Sequence, residues 1–138
     1  MSVPLEPRVK WLIAVANRWP SQPVDAPMAH KRAAAARSTR MAWVVIRPGP
    51  TMASTNNHLV PVDGGSILVR VYRPGPGKLP LHVFFHGGGW CIGTLEERDR
   101  RCQAIAADVG CVVASVDYRM APENQYPCLL YTSDAADE

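Results

Sequence analysis

The sequence has little of three features that would each assign it to a protein class. Its 138 residues contain no apolar run near the roughly 18 residues that a membrane span needs, and the stretch from Trp11 to Ala16 is too short for a signal-peptide core. Four cysteines are too few for a disulfide scaffold, and a net charge of +3 is too small to indicate nucleic-acid binding. We therefore expect a cytoplasmic protein with no membrane span and no nucleic-acid partner.

The N-terminal third has helical patterning. Apolar residues recur at helical spacing from Leu5 to Ala16. Asp25 and Pro27 are typical of a cap and an early helical proline, and they predict a second helix over Ala29 to Ala42. Pro48 and its neighbours should end that helix.

The pattern changes to strands after residue 56. Two short β-prone runs, His58 to Val62 and Ser66 to Tyr72, flank Asp63-Gly64-Gly65, which indicates a hairpin. Leu81 to Phe85 is a continuous apolar run, as expected of a strand that is buried on both faces.

A β-loop-α-β unit follows. The strand runs into a glycine-rich loop, and residues 95–109 carry helix formers with an apolar stripe that ends at Val109. Gly110 is a plausible C-cap, and Cys111 to Val116 is a second buried strand. This unit predicts parallel pairing of its two strands, so the fold class is α/β.

The loop itself is His86-Gly87-Gly88-Gly89-Trp90. Consecutive glycines leave backbone N–H groups uncovered, and such donors stabilise an oxyanion as it forms in acyl transfer. The alternative interpretation is a tight strand-to-helix turn in which glycine serves geometry alone.

A second motif decides between these interpretations. His86-Gly87-Gly88-Gly89-Trp90, followed one helix later by Asp117-Tyr118-Arg119-Met120-Ala121-Pro122-Glu123, resembles the hormone-sensitive-lipase family of α/β-hydrolases over roughly residues 5 to 127. The resemblance implies a carboxylesterase or lipase that acts on a small-molecule ester and uses neither a metal nor another cofactor. It also implies that the fold is the N-terminal part of an α/β-hydrolase, with two cap-like helices, a hairpin and a β-loop-α-β unit of a mostly parallel sheet.

The resemblance assigns site roles by position. Gly88 and Gly89 would donate N–H groups to the oxyanion, and Gly87 would permit the turn. The other matching residues would support the loop and would not react: His86, Trp90, Asp117, Tyr118, Arg119 and Glu123. Trp90 would pack beside the acyl pocket or in the ordinary core. Asp117 and Arg119 would hold the neighbouring loop, with Glu123 as an ion-pair partner. One of the bonds Ala121-Pro122 and Tyr126-Pro127 would be cis.

The catalytic residues of such an enzyme are missing. No serine lies in a G-x-S-x-G elbow, and all four histidines lie within the first 86 residues. We therefore expect a part of a longer enzyme, without nucleophile, acid or base, that is inactive alone. Residues 128–138 resemble a translated sequencing adapter, with a native polar tail as the alternative. The expected divisions are cap-like helices at 1–50, hydrolase domain at 51–127 and this tail.

A dinucleotide-binding domain is the main alternative. Gly87, Gly89 and Gly93 follow a buried strand, and Asp117 ends the next strand, where a ribose-binding acid is found in that fold. Trp90 would crowd the pyrophosphate, however, and the following helix begins too far from the glycines to hold a phosphate at its N-terminus.

Two further possibilities have less support. The basic residues of the second predicted helix could bind phosphates, although a solvated face is the simpler interpretation: Lys31, Arg32, Arg37 and Arg40. His82, His86, Cys91 and Cys102 match no common zinc spacing. Cys91 has no downstream histidine to activate it as a nucleophile.

Overall fold

The computed structural model describes residues 6–7, 10–11, 13–14, 18, 23, 25–45 and 48–125. Its regular elements are, in chain order, helix α1 (Met28–Val45), strands β1 (Ser54–Val62), β2 (Gly65–Arg73) and β3 (Leu81–Phe85), helix α2 (Leu95–Val109) and strand β4 (Val112–Asp117). This order confirms the predicted second helix, hairpin and β-loop-α-β unit. Residues 7, 10–11 and 13–14 of the first predicted helix are helical. Residue 6 is described and is not helical, whereas the rest of that predicted helix and the segment 128–138 fall outside the described residues.

The described strands form one mixed sheet in the order β1-β2-β4-β3. β1 pairs with β2, and β2 with β4, in antiparallel fashion, whereas β3 and β4 are parallel, from Leu81 opposite Val112 to Phe85 opposite Val116. The parallel pairing is as predicted. The described part of the sheet is mixed, because the hairpin supplies two of its four strands. The hairpin strand β1 also begins earlier than predicted, at Ser54, because polar residues pair readily on an exposed edge strand.

Helix α2 has a clear beginning and end. The Thr94 hydroxyl accepts a 3.2 Å hydrogen bond from the Glu97 amide, and Gly110 ends the helix with a φ of 70°. The predicted stripe is buried at Leu95, Cys102 and Ala106. Val109 is instead 68% exposed, because it is the last residue of the helix and the chain turns back directly after it.

The sheet buries side chains on both faces, since successive residues of a strand point to opposite sides. On one face, α2 and the strands enclose a cluster: Tyr72, Cys102, Ala106, Cys111 and Val113. On the other face Ile67, Val116 and Tyr118 form a second cluster. Each large apolar side chain that is fully buried contributes about 1.5–3 kcal/mol. This packing holds β4 firmly, and β4 in turn positions β3 and the glycine-rich loop.

Strand β3 departs from its prediction. Leu81, Val83 and Phe85 are 65%, 45% and 46% exposed, so the strand is not buried on both faces. The reason is its position at the edge of the described sheet, where β4 is its single neighbour.

Candidate active site

The glycine-rich loop leaves β3 at its carboxyl end and leads to α2. The carbonyl oxygen of Gly88 accepts hydrogen bonds from the amides of Cys91 and Ile92, at 3.2 and 3.1 Å, which closes a tight turn. Gly88, Gly89 and Trp90 all have positive φ, at 148°, 60° and 58°. Three successive residues with positive φ make this a backbone shape that the surrounding contacts must hold in place.

Steric contacts explain two of the glycines. A Cβ on Gly88 would collide with the backbone carbonyl of Ile92, and a Cβ on Gly93 would overlap the ring of His86. Gly87 differs from the expectation, because its φ is not positive and nothing lies near the position of its missing side chain. The turn therefore depends on Gly88 and Gly89 for its conformation, and Gly87 keeps the loop surface open.

The N–H groups of the three loop glycines donate no hydrogen bond within the described structure. Across residues 48–125, no hydrogen bond uses the N–H of Gly87, Gly88 or Gly89. Unpaired backbone donors at a strand end, with no side chains over them, are available to a negatively charged oxygen.

His86 and Tyr118 stabilise the end of β3, where the loop begins. His86 is 3% exposed, and its Nδ1 lies 3.2 Å from the Gly87 carbonyl oxygen. The Tyr118 hydroxyl donates a 2.6 Å hydrogen bond to the His86 carbonyl, and the two rings stack with centroids 4.4 Å apart. The histidine is therefore tied into the strand end, and its Nε2 is buried with no partner among the described residues.

Trp90 is on the surface of the described structure. Its side chain is 64% exposed there. Its backbone carbonyl accepts a 2.9 Å hydrogen bond from the amide of Ala121. The glycine-rich loop is thereby linked to the segment after β4, which contains the second sequence motif. The Ala121-Pro122 bond in that segment is cis, one of the two alternatives predicted.

Asp117 is the last residue of β4, and Arg119 follows it by two residues. Burial raises the pKa of the Asp117 carboxyl, and the nearby His86 opposes that rise. Arg119 donates a 2.8 Å hydrogen bond to the Asp63 carbonyl in the β1–β2 turn. Arg119 therefore braces the hairpin turn and has no ion pair with Glu123.

Glu123 pairs with Arg32 of helix α1, a residue that the sequence did not single out for the site. Both carboxylate oxygens accept hydrogen bonds of 2.8 Å from the guanidinium. The pairing with Arg32 lowers the pKa of Glu123. The same guanidinium donates to the carbonyls of Cys91 and Ala121, at 2.8 and 2.6 Å. The interpretation of Arg32 as part of a solvated basic face is therefore wrong.

The alternative sites gain no geometry from the fold. Helix α2 begins at Leu95, beyond the turn at Gly88 to Ile92, so its N-terminus is separated from the glycines as expected. Across the described residues, no group of three or more histidine, cysteine or acidic side chains could hold a metal ion. None of the described helices is both long enough and apolar enough to cross a bilayer.

Known proteins resemble this chain in sequence and in fold. Residues 82–136 match a family model described as the alpha/beta hydrolase fold. The carboxylic ester hydrolase LipN of Mycobacterium tuberculosis is 38% identical over 104 residues, which are 74% of this chain and 28% of that protein. The acetyl esterase of Salmonella schwarzengrund is 32% identical over 107 residues, 72% of this chain and 32% of the relative.

Solved structures agree with the sequence relatives. The hyperthermophilic esterase from the archaeon Pyrobaculum calidifontis superposes with a TM-score of 0.87 and 31% identity, over 97% of this chain and 42% of that one. The thermostable carboxylesterase EstE1, cloned from a metagenomic library, superposes with a TM-score of 0.77 and 33% identity, over 83% of this chain and 39% of that one. The chain thus spans about a third of its curated relatives and less than half of these structures. By sequence and by fold, it belongs to the hormone-sensitive-lipase family of α/β-hydrolases and carries part of that fold.

Proposed function

We propose that this chain supplies the oxyanion hole of a serine carboxylic-ester hydrolase. The observation that carries the proposal is the uncommitted N–H groups of Gly88 and Gly89, held at the carboxyl end of β3 by a turn that requires glycine at position 88. The relatives named as carboxylic ester hydrolase and acetyl esterase support the same reaction class.

The chemistry follows from where charge develops. When a serine hydroxyl attacks an ester carbonyl, the carbonyl oxygen becomes an oxyanion. The two amides would donate hydrogen bonds to that oxygen, and each donor of this kind lowers the barrier by about 2.7–4 kcal/mol. The serine, the histidine that activates it and the acid that orients the histidine would follow Pro127 in the natural protein, because the serines and histidines of this chain do not fit those roles.

The surrounding residues have positioning roles in this proposal. His86 and Tyr118 would fix the strand end, and Asp117, Arg119 and Glu123 would hold the neighbouring segment. Trp90, exposed on the described surface, would line the acyl pocket once the rest of the protein covers it. The substrate would be a small carboxylic ester.

A cytoplasmic location is also part of the proposal. Cys91, Cys102 and Cys111 are free thiols, and two of them are buried. Reduced cysteines are usual in compartments where glutathione and thioredoxin keep thiols reduced. Fractionation of cells that express the natural gene would test this location.

The proposed function can be tested on the protein that the natural gene encodes when its reading frame continues after Pro127. This product is called the longer protein below. We expect it to encode a G-x-S-x-G elbow downstream and to hydrolyse nitrophenyl acetate, with the elbow serine labelled by a fluorophosphonate. A reading frame without such an elbow, or a folded product that shows neither turnover nor labelling, would overturn the proposal.

A further inference from the structure

The densest set of contacts around the glycine-rich loop comes from one side chain on another element. Arg32 lies on α1, and its guanidinium donates four hydrogen bonds of 2.6 to 2.8 Å. The acceptors are the carbonyl of Cys91, the carbonyl of Ala121 and both carboxylate oxygens of Glu123. Their sequence separations of 59 to 91 residues make this a tertiary contact that joins three segments.

The two carbonyls belong to the segments that define the shape of the loop. Cys91 closes the turn, because its amide donates to the Gly88 carbonyl. Ala121 donates its own amide to the carbonyl of Trp90, the residue with a φ of 58°. A non-glycine residue in that conformation persists only where its surroundings fix it. The carbonyls of Trp90 and Cys91, two successive peptide groups, are both anchored, the second of them by Arg32.

The guanidinium suits this task better than an ammonium group would. Its planar fork can meet a carboxylate with two parallel bonds while the Nε–H points in a third direction. The paired Glu123 fixes the plane of the fork, and Nε then faces the Cys91 carbonyl. The side chain of Arg32 is 29% exposed and that of Glu123 is 58% exposed, so the pair is held by geometry more than by burial.

We propose that Arg32 is a positioning residue for the oxyanion loop. Through the Cys91 and Ala121 carbonyls it holds the turn that aims the amides of Gly88 and Gly89, so that helix α1 contributes indirectly to transition-state stabilisation. This inference rests on the proposed function, since it assigns a role to α1 in the same site.

The test compares Arg32→Ala, Arg32→Lys and Arg37→Ala in the longer protein. Arg37 is the matched control, because it lies on the same helix and its Nε donates to the Ala33 carbonyl within that helix. For Arg32→Ala we expect kcat to fall by about tenfold or more, with KM within about twofold, because misaimed donors weaken transition-state binding and leave ground-state binding intact. Arg32→Lys should recover only part of kcat, and Arg37→Ala should match the parent.

Two further readouts separate positioning from general stability. Affinity for a boronic acid that mimics the tetrahedral intermediate should fall in parallel with kcat, and amide exchange across residues 87–92 should accelerate in Arg32→Ala alone. Unchanged loop exchange, or a KM increase at constant kcat, would overturn the inference. If the longer protein hydrolyses no ester, the proposed function fails, and the exchange measurement still decides whether Arg32 holds the loop.

Discussion

The hydroxyl of Tyr118 donates a 2.6 Å hydrogen bond to the backbone carbonyl of His86, and this bond joins the ends of the two parallel strands. Both residues are buried, with 8% and 3% of their surfaces exposed. Because the carbonyl is buried, loss of its donor costs more than the loss of a hydrogen bond at the surface.

Replacement of Tyr118 by phenylalanine should therefore destabilise the protein. Tyr118→Phe keeps the ring that stacks on His86 and leaves the carbonyl unsatisfied, which costs about 1–3 kcal/mol. Urea unfolding of the longer protein measures this change. A loss below about 0.5 kcal/mol, the range of neutral surface substitutions, would contradict the role given to this bond.

Gly88 should tolerate no side chain. In Gly88→Ala the added Cβ would collide with the Ile92 carbonyl, so the turn must open and the amides must move. Loss of one oxyanion donor lowers kcat by about 10²–10³. The matched control is Gly75→Ala, because Gly75 lies in another loop with nothing near its missing side chain. Nitrophenyl ester hydrolysis by the longer protein gives both values, and equal rates for the two variants would exclude the proposed geometry.

The sequence predicted those parts of the fold that depend on local signals. Helix α2 covers residues 95–109 and ends at Gly110 as expected, because a C-cap acts within one turn of the helix. The sequence also identifies the glycine-rich loop, because glycine adopts positive φ more readily than other residues and is therefore frequent in such turns.

Two features that depend on distant contacts were not predicted. Arg32 sits among alanines and other basic residues, and nothing nearby in the sequence distinguishes it from Arg37. Only the fold brings Glu123 and Cys91 to it, across 91 and 59 residues. The exposure of Val83 was not predicted either, because the sequence of an apolar strand does not show whether the strand lies at the centre or at the edge of a sheet.

Asp117 should make stability depend on pH. Burial raises the pKa of its carboxyl above the ordinary 3.8, so the folded state holds this proton more tightly than the unfolded chain. The stabilisation is present in full below about pH 3.8 and is lost as the pH rises through the higher folded pKa. Asp117→Asn should therefore raise the free energy of unfolding at pH 7 and change it little near pH 3.5.

Unfolding of the longer protein at the two pH values measures this difference. Asp117→Asn that destabilises at pH 7 would show instead that the carboxylate makes a favourable contact as an anion.

Strand β3 should cause the 138-residue chain to self-associate. Leu81, Val83 and Phe85 are 45% to 65% exposed, on a strand whose free edge has no neighbour among the described residues. An open apolar edge pairs readily with another chain, and a lysine on it opposes that pairing. Sedimentation of the purified chain should therefore show concentration-dependent association that Val83→Lys reduces. Val109→Lys places the same charge on an apolar residue that is 68% exposed at the end of α2, away from the edge, and should leave association unchanged. A chain that stays monomeric at high concentration, or an equal effect of both lysines, would rule out β3 as the contact.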